Sequence, residues 1–223
     1  RSETELINHS SIVRPKEFIE RHQFSISGLA SVLAQMRSLK VCVIGDTIVD
    51  EYVQCDPLGM SQEDPTIVVT PIMSERFVGG AAIVAAHARN LGAQSVDFIS
   101  VSGEDDAAQY VTERLDSYGV SARIIRDSSR PTTLKQRYRA GNKTLLRVSH
   151  LRQHKISKTL QRQALDHVMD AINDADLVIF SDFNYGVLPQ DLVDVGTALG
   201  RIVHRCHHLG VAGDDGHGRA QVV

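Results

Sequence analysis

The chain has 223 residues, of which 42% are hydrophobic and 23% charged, and a formal net charge of -3. That length allows a sizeable core, no window approaches the ~20 apolar residues of a membrane span, and the charge gives no sequence-wide attraction to nucleic acid or anionic lipid. Cys42, Cys55 and Cys206 are too scattered for a disulfide framework and form no Cys-x-x-Cys pair, which fits a reducing, cytoplasmic setting. The chain opens at Arg1 with no basic-then-apolar leader, which predicts the absence of a secretion signal.

Residues 1–38 read as a helical approach segment, with Pro15 able to open a turn and Leu29, Val32, Leu33 and Met36 at helical spacing. Residues 39–200 then alternate strand and helix. Val41-Cys42-Val43-Ile44, ending at Gly45-Asp46, has the unbroken apolar pattern of a strand buried on both faces of a parallel sheet. Thr66 to Pro71 reads as extended. After Gly79-Gly80 the run from Ala81 to Ala88, small and apolar on nearly every side, predicts a buried helix stopped by Gly92. Val96–Val101 is the next strand. Asp105-Asp106 open a helix with Ala107, Tyr110, Val111 and Leu115 on one face, ended by Gly119.

From Ala122 to Ser149 the pattern becomes short strands, with Ala140-Gly141-Asn142-Lys143 as a hairpin turn between Thr132–Arg139 and Thr144–Ser149. Lys158 to Asn173 forms a helix with Leu160, Ala164, Val168 and Ile172 on one face, and Leu177–Phe180 a further buried strand ending at Ser181-Asp182. Residues 201–223 have no sustained period and read as an irregular tail.

Asp46 and Asp182 lie just past the ends of apolar strands, where ligands bind in open parallel sheets. Asp50 follows Asp46 closely. An ionised carboxylate only accepts hydrogen bonds, which suits the hydroxyls of a sugar; capping of loops or helix starts is the alternative. Gly79-Gly80 lets backbone approach a ligand, or lets a helix pack tightly on a sheet. Alternation along Thr132–Arg139 places Thr133, Lys135, Arg137 and Arg139 on one basic face, suited either to an anion or to a solvated edge strand. His204, Cys206, His207 and His208 have no carboxylate or thiolate partner at ligand spacing, so no metal site is assigned. No helical pattern follows Val211-Ala212-Gly213-Asp214, so it is not read as an anion hole with a base.

In their order these segments resemble the PfkB/ribokinase carbohydrate kinases, and within them the kinase domain of the bifunctional heptose phosphate kinase/adenylyltransferases. The residues that carry the resemblance are Val43-Ile44-Gly45-Asp46 with Asp50-Glu51-Tyr52, Ser61–Pro65, Gly79-Gly80-Ala81-Ala82, Leu91-Gly92-Ala93, Ser102–Asp105, Thr132–Lys135, Asn142 with Leu146-Arg147, and Ser181-Asp182 with Gly186-Val187-Leu188. The resemblance implies an α/β, ribokinase-like three-layer sandwich with a small β-sheet lid, truncated here, whose lid forms a homodimer contact. It implies a sugar or sugar phosphate acceptor lined by Asp46, Asp50, Gly79, Gly80 and Asp182, with Lys135, Arg137 and Arg147 facing a phosphate. ATP and magnesium serve the complete family enzyme; the Asn-x-x-Glu and Gly-Ala-Gly-Asp segments that hold them and supply the base have no counterpart in residues 1–223. No catalytic residue is therefore assigned, and tight ATP or magnesium binding is not expected.

Two positions depart from the family pattern: Ile83 stands where Asn is usual, and Tyr185 where the heptose kinases usually have Lys. Arg1–Ile7 resembles the tail of a nucleotidyltransferase domain. A non-catalytic sugar-phosphate-binding or dimerisation module is the alternative function. A nicotinamide-binding fold is disfavoured, because Gly79-Gly80 lacks the Gly-x-Gly-x-x-Gly spacing and follows no clear buried strand.

Overall fold

The computed structural model describes residues 19–194 apart from 24, 189, 191, and, as backbone only, the strand at 202–207. Five parallel strands form the main sheet: β1 (Lys40–Gly45), β4 (Ser95–Ser102), β5 (Ser121–Arg126), β8 (Leu177–Asp182) and β9 (Ile202–His207), in the order β5-β4-β1-β8-β9. Alternation along β1 divides the core. Val41 and Val43 pack beneath α2 (Gly80–Asn90) and α3 (Asp106–Ser117), while Cys42 and Ile44 face α4 (Lys158–Asp174). This helix, sheet, helix layering is the expected three-layer architecture.

A second sheet, in the order β3-β2-β6-β7, is built from β2 (Thr47–Met60), β3 (Ile67–Gly79), β6 (Thr133–Ala140) and β7 (Lys143–His150). The β2 to β6 pairing is parallel and the other two are antiparallel. This is the lid. Gly141-Asn142 turns the chain between β6 and β7, with Gly141 at φ +55.

The lid leaves the main sheet through a single residue, Asp46, between the end of β1 and the start of β2. It returns at Gly79-Gly80. The two passages touch, since the Ala81 amide donates to the Asp46 carbonyl at 2.9 Å. Gly80 has φ +58, and a side chain there would run into that same carbonyl. Gly45 is equally constrained: a Cβ would overlap the Ser181 carbonyl of β8 and meet the Ala81 methyl group.

The structure extends the sequence reading at two places and corrects it at a third. Residues 47–60, to which the sequence reading assigns no element, form a long strand that carries Asp50; the alternation of buried Thr47, Val49, Glu51, Val53 and Cys55 is interrupted in sequence by charge and by Pro57 and Gly59. Gly79 ends a strand that is exposed along most of its length, since β3 runs on past Pro71 through a register shift between Gln54 and Cys55 of its partner, the kind of irregularity at which sheets accept proline. The tail is not irregular from its start, since Ile202–His207 pairs in parallel with β8. Val211–Asp214 and Arg1–Pro15 lie outside the described residues. The helical reading of the approach segment is met by α1 (Ile26–Met36), whose Ile26, Leu29, Val32 and Leu33 are exposed.

Because backbone lies on one side of Gly45 and a buried helix on the other, Gly45→Ala is expected to destabilise the chain by about 3 kcal/mol. Gly141→Ala, with open space around it, should cost only the left-handed backbone penalty of about 1–2 kcal/mol. Urea unfolding monitored by circular dichroism measures both.

Candidate functional site

The carboxyl ends of β1 and β8 and the root of the lid converge on Asp46. It is 1% exposed, and its carboxylate is turned toward the segment after β8: Oδ2 accepts from the amides of Phe183 at 2.7 Å and Tyr185 at 3.4 Å, and Oδ1 from Val187 at 3.4 Å. Burial pushes its pKa up to about 6; the three amides pull the other way, and the neighbouring Asp182 adds to the rise. In this structure Asp46 thus clamps the 183–187 segment. Asp182, at the end of β8, accepts from the Asn184 amide at 2.8 Å, bending that segment with Asn184 at φ +67.

Arg130 secures the same segment from outside. Its side chain is buried, paired with Asp127 at 2.9 Å, and donates through Nη1 to the Tyr185 carbonyl at 3.0 Å and through Nη2 to the His154 carbonyl at 2.7 Å. Sequence reasoning did not find Arg130, because its partners are main-chain carbonyls far along the chain and leave no side-chain pattern. Asp105 plays the corresponding part at the lid entry: it caps α3 through the Ala108 amide at 2.9 Å and accepts from the Thr132 amide at 2.8 Å. Burial tends to raise its pKa, but the Thr132 and Ala108 hydrogen bonds outweigh that and hold it below the usual range.

Asp50 faces the lid cleft. Its Oδ1 pairs with Arg137 Nη1 at 2.5 Å, and its Oδ2 lies against Gly79, where any Cβ would displace it. The hydrogen bond that Arg137 donates to Asp50 raises the Arg137 pKa. Asp50, Gly79, Gly80 and the Asp46 backbone are therefore brought together, as the motif order implied. Lys135 is in register with Asp50, but its ammonium lies over the rings of Tyr185 at 5.3 Å and Phe183 at 5.6 Å, joining lid to loop. Arg147 is exposed on β7 opposite Arg137. Asp182 holds the loop after β8 and is not among the residues that line the lid cleft.

The cleft, of about 560 Å³, is lined by Asp50, Tyr52, Gln54, Phe77, Arg137 and Arg139 among others. Behind it, on the opposite face of the lid, Glu51 is 5% exposed and accepts from Ser74 at 2.7 Å, Arg76 at 2.9 Å and Gln136 at 2.6 Å, tying β2 to both its neighbours. Burial works against its ionisation, but those three donors prevail and its pKa is lowered. No group of three His, Cys, Asp or Glu that could hold a metal ion is gathered among the described residues. Among them also, no helix is long and apolar enough to cross a membrane.

A parallel sheet with a lid rooted at a Gly-Asp and a Gly-Gly crossing, and a carboxylate held in the cleft between them, defines a sugar-kinase type of fold. Residues 38–204 match the pfkB family carbohydrate kinases, and the chain belongs to that family. It is 32% identical over 170 residues to the bifunctional protein HldE of Bradyrhizobium diazoefficiens, covering 73% of this chain and 34% of that protein. With the Helicobacter pylori HldE (strain 26695) it shares 34% over 167 residues, covering 74% and 36%. The chain thus spans about a third of the length of these curated relatives. Among solved structures, a carbohydrate kinase from Agrobacterium tumefaciens superposes with a TM-score of 0.56 at 19% identity, covering 75% of this chain and 53% of that one. Arabidopsis thaliana ribokinase complexed with ribose and ATP superposes with a TM-score of 0.52 at 18% identity, covering 75% and 53%. These likenesses carry the ribokinase-like fold.

The Asp46 carboxyl binds its proton more tightly folded than unfolded, where the reference value is 3.8. Its contribution to stability is therefore complete below about pH 4 and lost as pH rises through about 6, a change of order 2–3 kcal/mol. Asp46→Asn should lack this descending limb. Urea unfolding of both forms at intervals from pH 4 to pH 7 is the measurement.

Proposed function

We propose that this chain carries the acceptor-binding half of an ATP-dependent carbohydrate kinase whose acceptor is a sugar phosphate of the heptose type, in the service of nucleotide-sugar synthesis. The single observation that carries this reading is the Asp50 carboxylate, held in the lid cleft between Arg137 at 2.5 Å and the side-chain-free edge of Gly79. A carboxylate fixed in this way accepts from sugar hydroxyls without having to reorganise. The HldE relatives favour a heptose phosphate, and the basic face of β6 favours an anionic acceptor.

In the complete enzyme the γ-phosphoryl group of ATP passes in line to a sugar hydroxyl, and positioning plus charge neutralisation provide most of the acceleration. Within residues 1–223 the chain's own part is to bind and orient the acceptor: Asp50 holds hydroxyls, Asp46 and Arg130 fix the wall formed by 183–187, and the lid excludes water. Asp46, Asp182, Gly79 and Gly80 serve the acceptor chiefly by shaping that wall and the lid root, and Lys135 by joining the two. The family's base and nucleotide segments have no match in this sequence, so the chain alone binds without turnover. The free thiols of Cys42 and Cys55 suit the cytoplasm.

The second reading, a binding or dimerisation module, is favoured by the exposed apolar residues of the lid, including Leu58, Met60, Ile67, Ile72 and Met73. A patch of this kind suits a lid-to-lid homodimer.

Calorimetric titration with a heptose 7-phosphate is expected to show saturable binding that Asp50→Asn weakens at least tenfold, while a coupled ADP-release assay shows no turnover. Robust turnover would contradict the acceptor-half reading; absence of binding would remove the acceptor site altogether. Sedimentation velocity reports the dimer, which Met73→Lys should dissociate.

A further inference from the structure

The cations of the lid are not equivalent. Lys135 is occupied by the rings of Tyr185 and Phe183, Arg137 by the Asp50 carboxylate, and Arg147 is exposed on the outer strand. Arg139 differs from all three. It lines the cleft, and its Nε is buried with no hydrogen-bond partner among the described residues. A buried guanidinium nitrogen without an acceptor is costly, so its presence in a cleft wall calls for an acceptor that arrives from outside.

The local backbone is shaped around this residue. Arg139 is in register with Gln54 of β2. The β2 to β3 pairing shifts between Gln54 and Cys55, and the β6 to β7 pairing shifts between Tyr138 and Arg139. Two irregularities at one level on either side of a residue bend the sheet there and re-aim its side chains, as bulges beside functional sites do. The Tyr52 ring then supports both guanidiniums, with Arg137 at 5.2 Å and Arg139 at 5.8 Å from its centroid, and Phe77 braces Tyr52 edge-on at 5.8 Å. Stacking orients a planar guanidinium while leaving its edge donors available.

Two acids share the cleft wall. Asp50 is neutralised by Arg137, and Glu75, opposite Tyr52, is exposed and forms no ion pair among the described residues. Four residue steps separate the Asp50 and Gln54 levels, about 13 Å of strand, and an arginine side chain can reach back over part of that span.

We propose that Arg139 is the specificity-determining residue that receives the anionic end of the acceptor, whereas Arg137 acts as a positioning residue that aims Asp50. This rests on the acceptor-site reading above and assigns different tasks to neighbouring cations of one strand. The acceptor class it defines is a sugar that carries a phosphate or carboxylate remote from the hydroxyls held by Asp50.

The test is calorimetric titration of the full 223-residue chain with a heptose 7-phosphate and with the same heptose lacking the phosphate. The unsubstituted chain prefers the phosphate. Arg139→Gln is expected to reduce the ratio of the two affinities by about 10- to 100-fold, while Arg137→Gln weakens both ligands together and leaves their ratio within about twofold. Arg139→Lys, which keeps the charge but not the stacked guanidinium, should recover part of the ratio lost in Arg139→Gln and guards against mere misfolding. Equal impairment by the Lys and Gln variants overturns the assignment, as does a collapse of the ratio in Arg137→Gln instead. If the unsubstituted chain binds both ligands equally, the anion assignment fails while the acceptor site stands; if it binds neither, the acceptor-site reading itself fails.

Discussion

Everything distinctive in this molecule depends on the contact between two of the places where the chain crosses between the main sheet and the lid, Asp46 and Gly79-Gly80. Gly45 brings β1 so close to β8 that no side chain fits beside the Ser181 carbonyl, and Gly80 does the same against the Asp46 carbonyl. The Ala81 amide then closes the junction by donating to Asp46. Since backbone touches backbone at each of these points, the lid is rooted by atoms that no rotamer change can move. The Asp50 carboxylate, four residues into β2 and seated against Gly79, inherits that rigidity.

The buried carboxylates around this junction have distinct electrostatic solutions. Asp46 has amides but no paired cation among the described residues, and burial prevails, so its proton is held to about pH 6. Glu51 and Asp105 are also desolvated, but their donors win and they stay ionised to lower pH. The difference follows from donor number and geometry: two of the three amides at Asp46 lie at 3.4 Å, long for a hydrogen bond to a charge, whereas Glu51 has three side-chain donors within 2.9 Å. A carboxylate poised in this way couples the geometry of the 183–187 segment to its own ionisation.

The parallel core was legible in the sequence because strands buried on both faces have continuous apolar runs, as at Val41–Ile44 and Leu177–Phe180. The helix starts were legible for a similar reason: Asp105 and the glycines at 79–80 act within a few residues of their own positions. The lid was only half legible. Its strands are exposed on one side and interrupted by Pro57, Gly59 and Pro71, so β2 and the far half of β3 have no clean alternation. The candidate site was legible as residue types, since Asp50, Gly79 and Arg137 all appear in motifs, but not as pairings. That Asp50 meets Arg137 is fixed by the parallel register of β2 on β6, a contact across 87 positions for which a single sequence provides no local signal.

The two departures from the family pattern also have a physical explanation in this arrangement. Position 185 is held through its main chain, the amide by Asp46 and the carbonyl by Arg130, so a change of side chain leaves the loop in place. The ring of Tyr185 then accepts the Lys135 ammonium at 5.3 Å, where a lysine would have placed a second positive charge. Ile83 packs at the edge of the α2 and α3 core and lines a cavity with Tyr110 and Val78, so apolar burial there replaces the hydrogen bonding of the usual Asn. Neither change alters the residues that line the cleft between Asp50 and Arg139. The wall at 183–187 is thus fixed by its backbone, and its aromatic rings meet the lid through Lys135.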